Sequence, residues 1–162
     1  LHPIESRRIE SCVTDWLALD KQICFALHAA SRATVAAYRP LLEPLGLTYP
    51  QYLVMLVLWE GDGLSVKALG ERLFLDSGTL TPLLKRLELA GLLVRARSSD
   101  DERVVEVRLT SRGRALRRRA ETVPKALACA VGLAPHALGE LRETLRNLTA
   151  VLHAHTAESE SP

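Results

Sequence analysis

Cysteine is scarce in this chain: its 162 residues hold three, Cys12, Cys24 and Cys129, with no Cys-x-x-Cys spacing. An odd count argues against a secreted disulfide framework, and the spacing offers zinc no ligand pair. Aromatic residues make up only 4% of the chain, so its core must be built from aliphatic side chains, which the 48% hydrophobic content supplies. No apolar run approaches the roughly 18 residues of a membrane span, and Leu1-His2-Pro3-Ile4-Glu5 has no basic-then-apolar secretory pattern. A single cytoplasmic domain without cofactor, metal or membrane partner is expected, with each thiol free in a reducing compartment.

An excess of one charge is also missing, since 21 Lys+Arg stand against 19 Asp+Glu, a net +2. That total conceals a gradient. Residues 1–60 carry −1, residues 61–120 carry +5 and residues 121–162 carry −2. The arginines at 95, 97, 103, 108, 112, 114, 117, 118 and 119 mark the middle of the chain as a candidate for phosphate contact, although a solvated helix face has the same composition.

Helical periodicity comes first. Leu19, Ile23, Leu27 and Ala30 fall on one face of a helix expected over residues 16–42, and Gly46 ends it. Thr48-Tyr49-Pro50-Gln51 is a capping box opening a second helix that reaches about Glu60. Ser65 caps a short third helix ending near Leu73, with Leu64 and Leu69 as a hydrophobic staple. Asp76 or Ser77 then caps a fourth helix that turns Leu80, Leu83, Leu84 and Leu87 inward and stops at Gly91. Short helix, tight connection and hydroxyl-rich helix together predict a helix-turn-helix.

After Gly91 the period changes to two. Residues 92–97 and 105–109 read as strands joined by a polar tip, Ser98-Ser99-Asp100-Asp101-Glu102-Arg103. A helix-turn-helix followed by a hairpin is a winged helix, so the expected fold is mainly α with a small two-stranded β wing. Thr110 caps an arginine-rich fifth helix running past Pro124, with a bend there, and a sixth begins near Pro135. Leucines 138, 141, 145, 148 and 152 of that helix form the narrow stripe of a helix-helix seam. The stripe packs either on its own chain or, as the preferred reading, in a homodimer interface shared with the first helix. Residues 156–162 read as a disordered tail.

The stretches Asp20-Lys21-Gln22-Ile23-Cys24-Phe25-Ala26-Leu27, Tyr38-Arg39-Pro40-Leu41-Leu42 and Leu47-Thr48-Tyr49-Pro50-Gln51-Tyr52-Leu53-Val54-Met55 strongly resemble the organic hydroperoxide resistance (OhrR) branch of the MarR family of winged-helix repressors. Residues 75–87, Asp101-Glu102-Arg103 and Leu109-Thr110 match it too, and the resemblance spans roughly residues 18 to 125. It implies a single MarR-type domain with a DNA-binding part at about 48–110 and dimerisation helices at about 15–45 and 111–155. The function implied is that of a non-enzymatic repressor, a homodimer on palindromic double-stranded operator DNA that is released when an organic hydroperoxide oxidises a cysteine.

Cys24 matches the sensing cysteine, whose thiolate would become a sulfenic acid, and Tyr38 and Tyr49 match the tyrosines that donate hydrogen bonds to it. Tyr38 lies 14 residues beyond Cys24, roughly 21 Å along one helix. Any bond from Tyr38 to a Cys24 sulfur must therefore cross the dimer. His28 stands one turn after Cys24, where many relatives place a further tyrosine; it either tunes the thiolate or fills space. Cys129 matches the resolving cysteine of the two-cysteine subclass, implying an intersubunit disulfide, for which the Cα atoms must come within about 7 Å. Cys12 matches no role.

On the DNA side, Asp76 and Ser77 open the recognition helix. Ser77, Thr79 and Thr81 are candidate base readers, through hydroxyl hydrogen bonds or through threonine methyls against thymine. Lys85 fits a phosphate contact. Arg103 matches the wing arginine of the minor groove, with Asp101 placed to orient it, whereas Arg86 and Arg95 fit internal ion pairs. Two rival functions share parts of this pattern: a MarR-type repressor released by a small phenolic ligand, and a thiol peroxidase using Cys24 and Cys129.

Overall fold

The computed structural model of the chain describes residues 16–98, 101 and 103–159. Cys12, three residues of the hairpin tip and residues 160–162 lie outside that range. Two compact units divide between Val123 and Pro124.

The first unit begins later as a helix than its periodicity suggests. Leu19–Lys21 form a single 3-10 turn, and helix α1 spans Ile23–Leu42. The break is at Gln22, which is extended and turns its side-chain amide back onto the carbonyls of Trp16 and Ala18, competing with the helical ladder. Of α1 only Leu42 is buried. A 3-10 turn at Glu43–Leu45 and a left-handed Gly46 then lead to α2, Tyr49–Glu60. The capping box forms as expected: Gln51 Oε1 accepts from the Thr48 amide at 2.8 Å and from its hydroxyl at 3.0 Å. Helix α2 is the centre of the unit, burying Tyr52, Val54, Met55, Val57, Leu58 and Trp59.

Helix α3, Val66–Leu73, is capped by Ser65, whose hydroxyl accepts from the Ala68 amide at 3.1 Å. Phe74 ends it in the left-handed region, and α4, Ser77–Leu89, follows at once. The connection is tight because Gly70 has no side chain: a Cβ there would lie 2.7 Å from the Leu75 carbonyl oxygen. Leu80, Leu84 and Leu87 of α4 are buried against α2 and α3, completing the helix-turn-helix.

Strands β2 (Leu93–Arg97) and β3 (Val105–Leu109) pair antiparallel, Leu93 opposite Leu109 and Arg97 opposite Val105. A third strand, β1 (Leu64–Ser65), pairs with the other edge of β3, so the wing rests on a three-stranded sheet in the order β1-β3-β2. At two residues, β1 is too short to show any alternation.

Helix α5, Ser111–Ala120, is capped by Thr110, and α6 spans Thr122–Val131. The expected bend at Pro124 is instead a break at Glu121. Pro124 consequently falls in the first turn of α6, where a missing amide proton costs no intrahelical bond. Gly113 is required in α5 because a Cβ would fall 2.0 Å from the Leu92 carbonyl oxygen.

In the second unit, α7 runs over Pro135–Ser159, past the point where a disordered tail was expected to start. The Thr156 hydroxyl donates to the Leu152 and His153 carbonyls at 3.2 and 3.0 Å. Ala157 and Glu158, both good helix formers, carry the helix on. No described residue of α7 is buried, and Leu141, Leu145 and Leu152 are 47%, 39% and 53% exposed.

Candidate functional site

Helix α4 is capped by Asp76, whose carboxylate accepts from the Thr79 amide at 2.8 Å and from the Thr79 hydroxyl at 2.9 Å. Those bonds, the amide's above all, hold the Asp76 carboxyl below its usual range, keeping it ionised where the helix dipole favours negative charge. Asp76 thus shapes the start of the helix. Ser77, Thr79 and Thr81 are all exposed on its first turns, and the Thr81 hydroxyl donates to the Ser77 carbonyl at 2.6 Å.

Lys85 and Arg86 are exposed one turn farther on. The expected internal ion pair of Arg86 is not found: it faces no carboxylate among the described residues, because its position on α4 is on the solvent side. Arg95 does have such a partner. Its guanidinium grips the Glu88 carboxylate at 2.7 and 3.0 Å while its amide donates to Glu88 at 3.0 Å. This fork, which lowers the Glu88 pKa, joins the end of α4 to β2.

At the hairpin tip Asp101 acts on the backbone of Arg103, accepting from its amide at 2.9 Å, while the Val104 amide donates to the Asp101 carbonyl at 2.9 Å. Asp101 thus meets Arg103 through the main chain; the two side chains form no ion pair among the described residues. The Arg103 side chain is exposed. Behind the wing, Asp62 accepts from the Leu109 amide at 2.7 Å and from the Arg114 guanidinium at 2.9 Å, tying the α2–β1 turn to the end of β3. Sequence inspection shows Asp62 only as a turn residue in Gly61-Asp62-Gly63, since its partners lie about 50 residues away.

The thiols lie elsewhere. Cys24 is exposed in the first turn of α1, and Cys129 is exposed near the end of α6; both are free. His28 is exposed one turn after Cys24. Tyr38 lies on the same helix, roughly 21 Å along the axis at 1.5 Å per residue, so within one chain it does not meet Cys24. It meets Tyr49 instead, with ring centroids 4.8 Å apart, and Tyr52 at 5.8 Å. Tyr52 also stacks edge-on against Trp59 at 6.3 Å, and the Trp59 indole donates to the Gly113 carbonyl at 2.9 Å. Motif matching selects Tyr38 and Tyr49 but passes over Tyr52, which its spacing marks only as core.

Burial, then the neighbouring Tyr49 and Tyr52, push the Tyr38 phenol up to about 12, and burial raises Tyr49 and Tyr52 as well. All three phenols remain protonated, and therefore able to donate, at neutral pH. Beside Tyr49 a cleft of about 540 Å³ opens between Val35, Arg39, Leu42, Leu47 and Pro50. Among the described residues no group of three or more His, Cys, Asp or Glu is arranged to hold a metal, and no single helix is long and apolar enough to cross a membrane.

Residues 36–119 match the family described as transcriptional regulator SarA/Rot. The chain is 51% identical over 148 residues to the HTH-type transcriptional regulator TtmR of Methylorubrum extorquens (strain PA1), covering 90% of this chain and 74% of that one. It is 45% identical over 139 residues to the organic hydroperoxide resistance transcriptional regulator of Bacillus subtilis (strain 168), covering 86% and 95%. Among solved structures it is similar to AbfR of Staphylococcus epidermidis. Reduced AbfR bound to DNA superposes with a TM-score of 0.66 at 34% identity, covering 85% of this chain and 99% of that one. Disulfide-formed AbfR gives 0.59 at 35% identity, covering 86% and 98%.

Proposed function

Because this chain belongs to the MarR family of winged-helix transcriptional regulators, in the branch of the organic hydroperoxide regulator OhrR, we propose that it is a cytoplasmic repressor that binds palindromic operator DNA as a homodimer and releases it when an organic hydroperoxide oxidises Cys24. The observation that carries this reading is an exposed, free Cys24 at the start of a helix that buries only Leu42. Such a helix needs a second subunit to cover it, and a two-fold dimer would bring Tyr38 and Tyr49 of the partner subunit to the thiol. The helices at about 15–45 and 111–155 are the dimerisation part, and residues 48–110 present α4 and the wing to DNA.

The Cys24 thiolate attacks the terminal oxygen of the hydroperoxide, the S–O bond forms as the O–O bond breaks, and the expelled alkoxide takes a proton from water and leaves as the alcohol. Protonated Tyr38 and Tyr49, kept neutral by burial, donate hydrogen bonds that favour the thiolate, and His28 is placed to add to them. The Cys129 thiolate of the partner subunit then attacks the sulfenic sulfur, forming the disulfide and expelling hydroxide, which takes up a proton to become water. AbfR has been solved DNA-bound when reduced and also with its disulfide formed, which supports such a cycle here. On DNA, α4 enters the major groove, Lys85 contacts phosphate, and Arg103 reaches the minor groove.

The cleft of about 540 Å³ beside Tyr49 supports a second reading, release by a small phenolic ligand. One series separates these readings. Cumene hydroperoxide should abolish a gel shift on a duplex the reduced protein binds, dithiothreitol should restore it, and a reducible dimer band should accompany the loss. The band should disappear in Cys24→Ser and in Cys129→Ser; its survival in Cys129→Ser rejects the pairing. Release by salicylate but not by peroxide favours the ligand reading, and turnover of peroxide under excess thiol without DNA binding favours a peroxidase.

A further inference from the structure

The surface of the first two turns of α4 consists of Ser77, Gly78, Thr79, Thr81 and Pro82, with no Arg, Asn, Gln or Glu among them. The side chains that read guanine or adenine through paired hydrogen bonds are therefore missing from the part of the helix that enters a major groove most deeply. A threonine in that position reads a base through its hydroxyl or through its methyl. Both hydroxyl protons are already committed. Thr79 Oγ1 is 2.9 Å from an Asp76 carboxylate oxygen, and Thr81 Oγ1 is 2.6 Å from the Ser77 carbonyl oxygen. Each of those oxygens can only accept, so each hydroxyl donates to it and keeps only its lone pairs, which could accept from an adenine or cytosine amine. The bond also fixes χ1, leaving the Cγ2 methyl as the branch not tied to the chain.

We infer that α4 recognises thymine in the major groove through the methyl groups of Thr79 and Thr81, with the exposed Pro82 ring as a third apolar surface, and that neither threonine donates a hydrogen bond to a base. The inference rests on the DNA-binding reading above. Thymine is singled out because its C5-methyl is the one apolar group that base pairs display in that groove. Of the three hydroxyls on this surface, only that of Ser77 makes no hydrogen bond among the described residues, and it is left to donate to a base edge or a phosphate.

The probe is a set of duplexes enriched from a random library by the wild-type protein. Thymines in them are replaced one at a time by deoxyuridine, which pairs identically and lacks only the methyl. At the contacted positions binding should weaken by about fourfold, the factor that burying roughly one methyl group gives. Thr79→Val and Thr81→Val keep the methyl and should each stay sensitive to deoxyuridine at the position it contacts. Thr79→Ser and Thr81→Ser keep the hydroxyl, should lose about the same factor, and should each become insensitive to deoxyuridine at one position. The salt dependence of all four should match the parent, because no phosphate contact is touched. Valine variants that lose binding while serine variants keep it, or deoxyuridine without effect at every position, overturn the inference and leave the DNA-binding reading standing. If no duplex is enriched at all, the DNA-binding reading fails and the inference with it.

Discussion

Tyr38 carries the clearest electrostatic signature in the chain. Its phenol is raised to about 12, first by burial and then by Tyr49 and Tyr52, and those two are shifted in the same direction. These are the only three tyrosines in the sequence, so phenolate absorbance reports on this cluster alone. A group with a raised folded-state pKa binds its proton more tightly when folded, so its contribution is complete below the unfolded value and is lost as pH rises. Native protein should therefore ionise its tyrosines above 10, with unfolding free energy falling between about 10 and 12, whereas protein in guanidinium titrates near 10. Phenols that ionise near 10 in the native protein would remove the argument that they remain donors beside a thiolate. Tyr38 and Tyr49 are legible in the sequence through family motifs. Tyr52 is not, because a core aromatic and one stacked on a donor tyrosine have the same spacing. Likewise Ser77, Thr79 and Thr81 read as hydroxyl or methyl contacts, and only the 2.6 and 2.9 Å bonds decide between them.

Among the elements, α5 depends on contacts that local sequence cannot display. Gly113 lies against the Leu92 carbonyl, and its own carbonyl takes the Trp59 indole proton. Trp59→Phe removes a buried donor and leaves that carbonyl short of a partner, a loss of about 1–3 kcal/mol. Gly113→Ala should cost more, since a Cβ at 2.0 Å meets backbone rather than a flexible side chain. Denaturant midpoints order the two variants, and equal midpoints would contradict the close packing. The caps at Thr48, Ser65 and Thr110 and the alternation of β3 were legible because each depends on a few neighbouring residues. The late start of α1, the two-residue β1 and the break at Glu121 were not, since each is decided by a side chain turning back on its own backbone or by pairing across 40 residues or more.

Within its own unit α1 buries only Leu42, and no described residue of α7 is buried. Under the proposed dimer these faces would supply the interface. Leu141→Glu with Leu145→Glu should shift the protein from dimer to monomer in sedimentation while the first unit, whose core lies between Leu42 and Val123, keeps its cooperative unfolding. A dimer that survives both changes would exclude the α7 stripe from the interface. The near-neutral charge of the whole chain acquires a physical reading at this scale. Under the proposed function, the basic middle would face the DNA polyanion, while the flanking segments, at only −1 and −2, carry little charge to repel across a dimer seam.

The fork between Arg95 and Glu88 ties the end of α4 to β2. On the proposed function, α4 is the helix in the major groove and β2 leads to the tip that carries Arg103, so this tie couples the two grips that the reading assigns to DNA. A small tilt of a subunit would then withdraw both together, and the operator would be released in a single step rather than grip by grip. Stiffness within each subunit would let a small displacement at a distant sulfur act as an all-or-none signal.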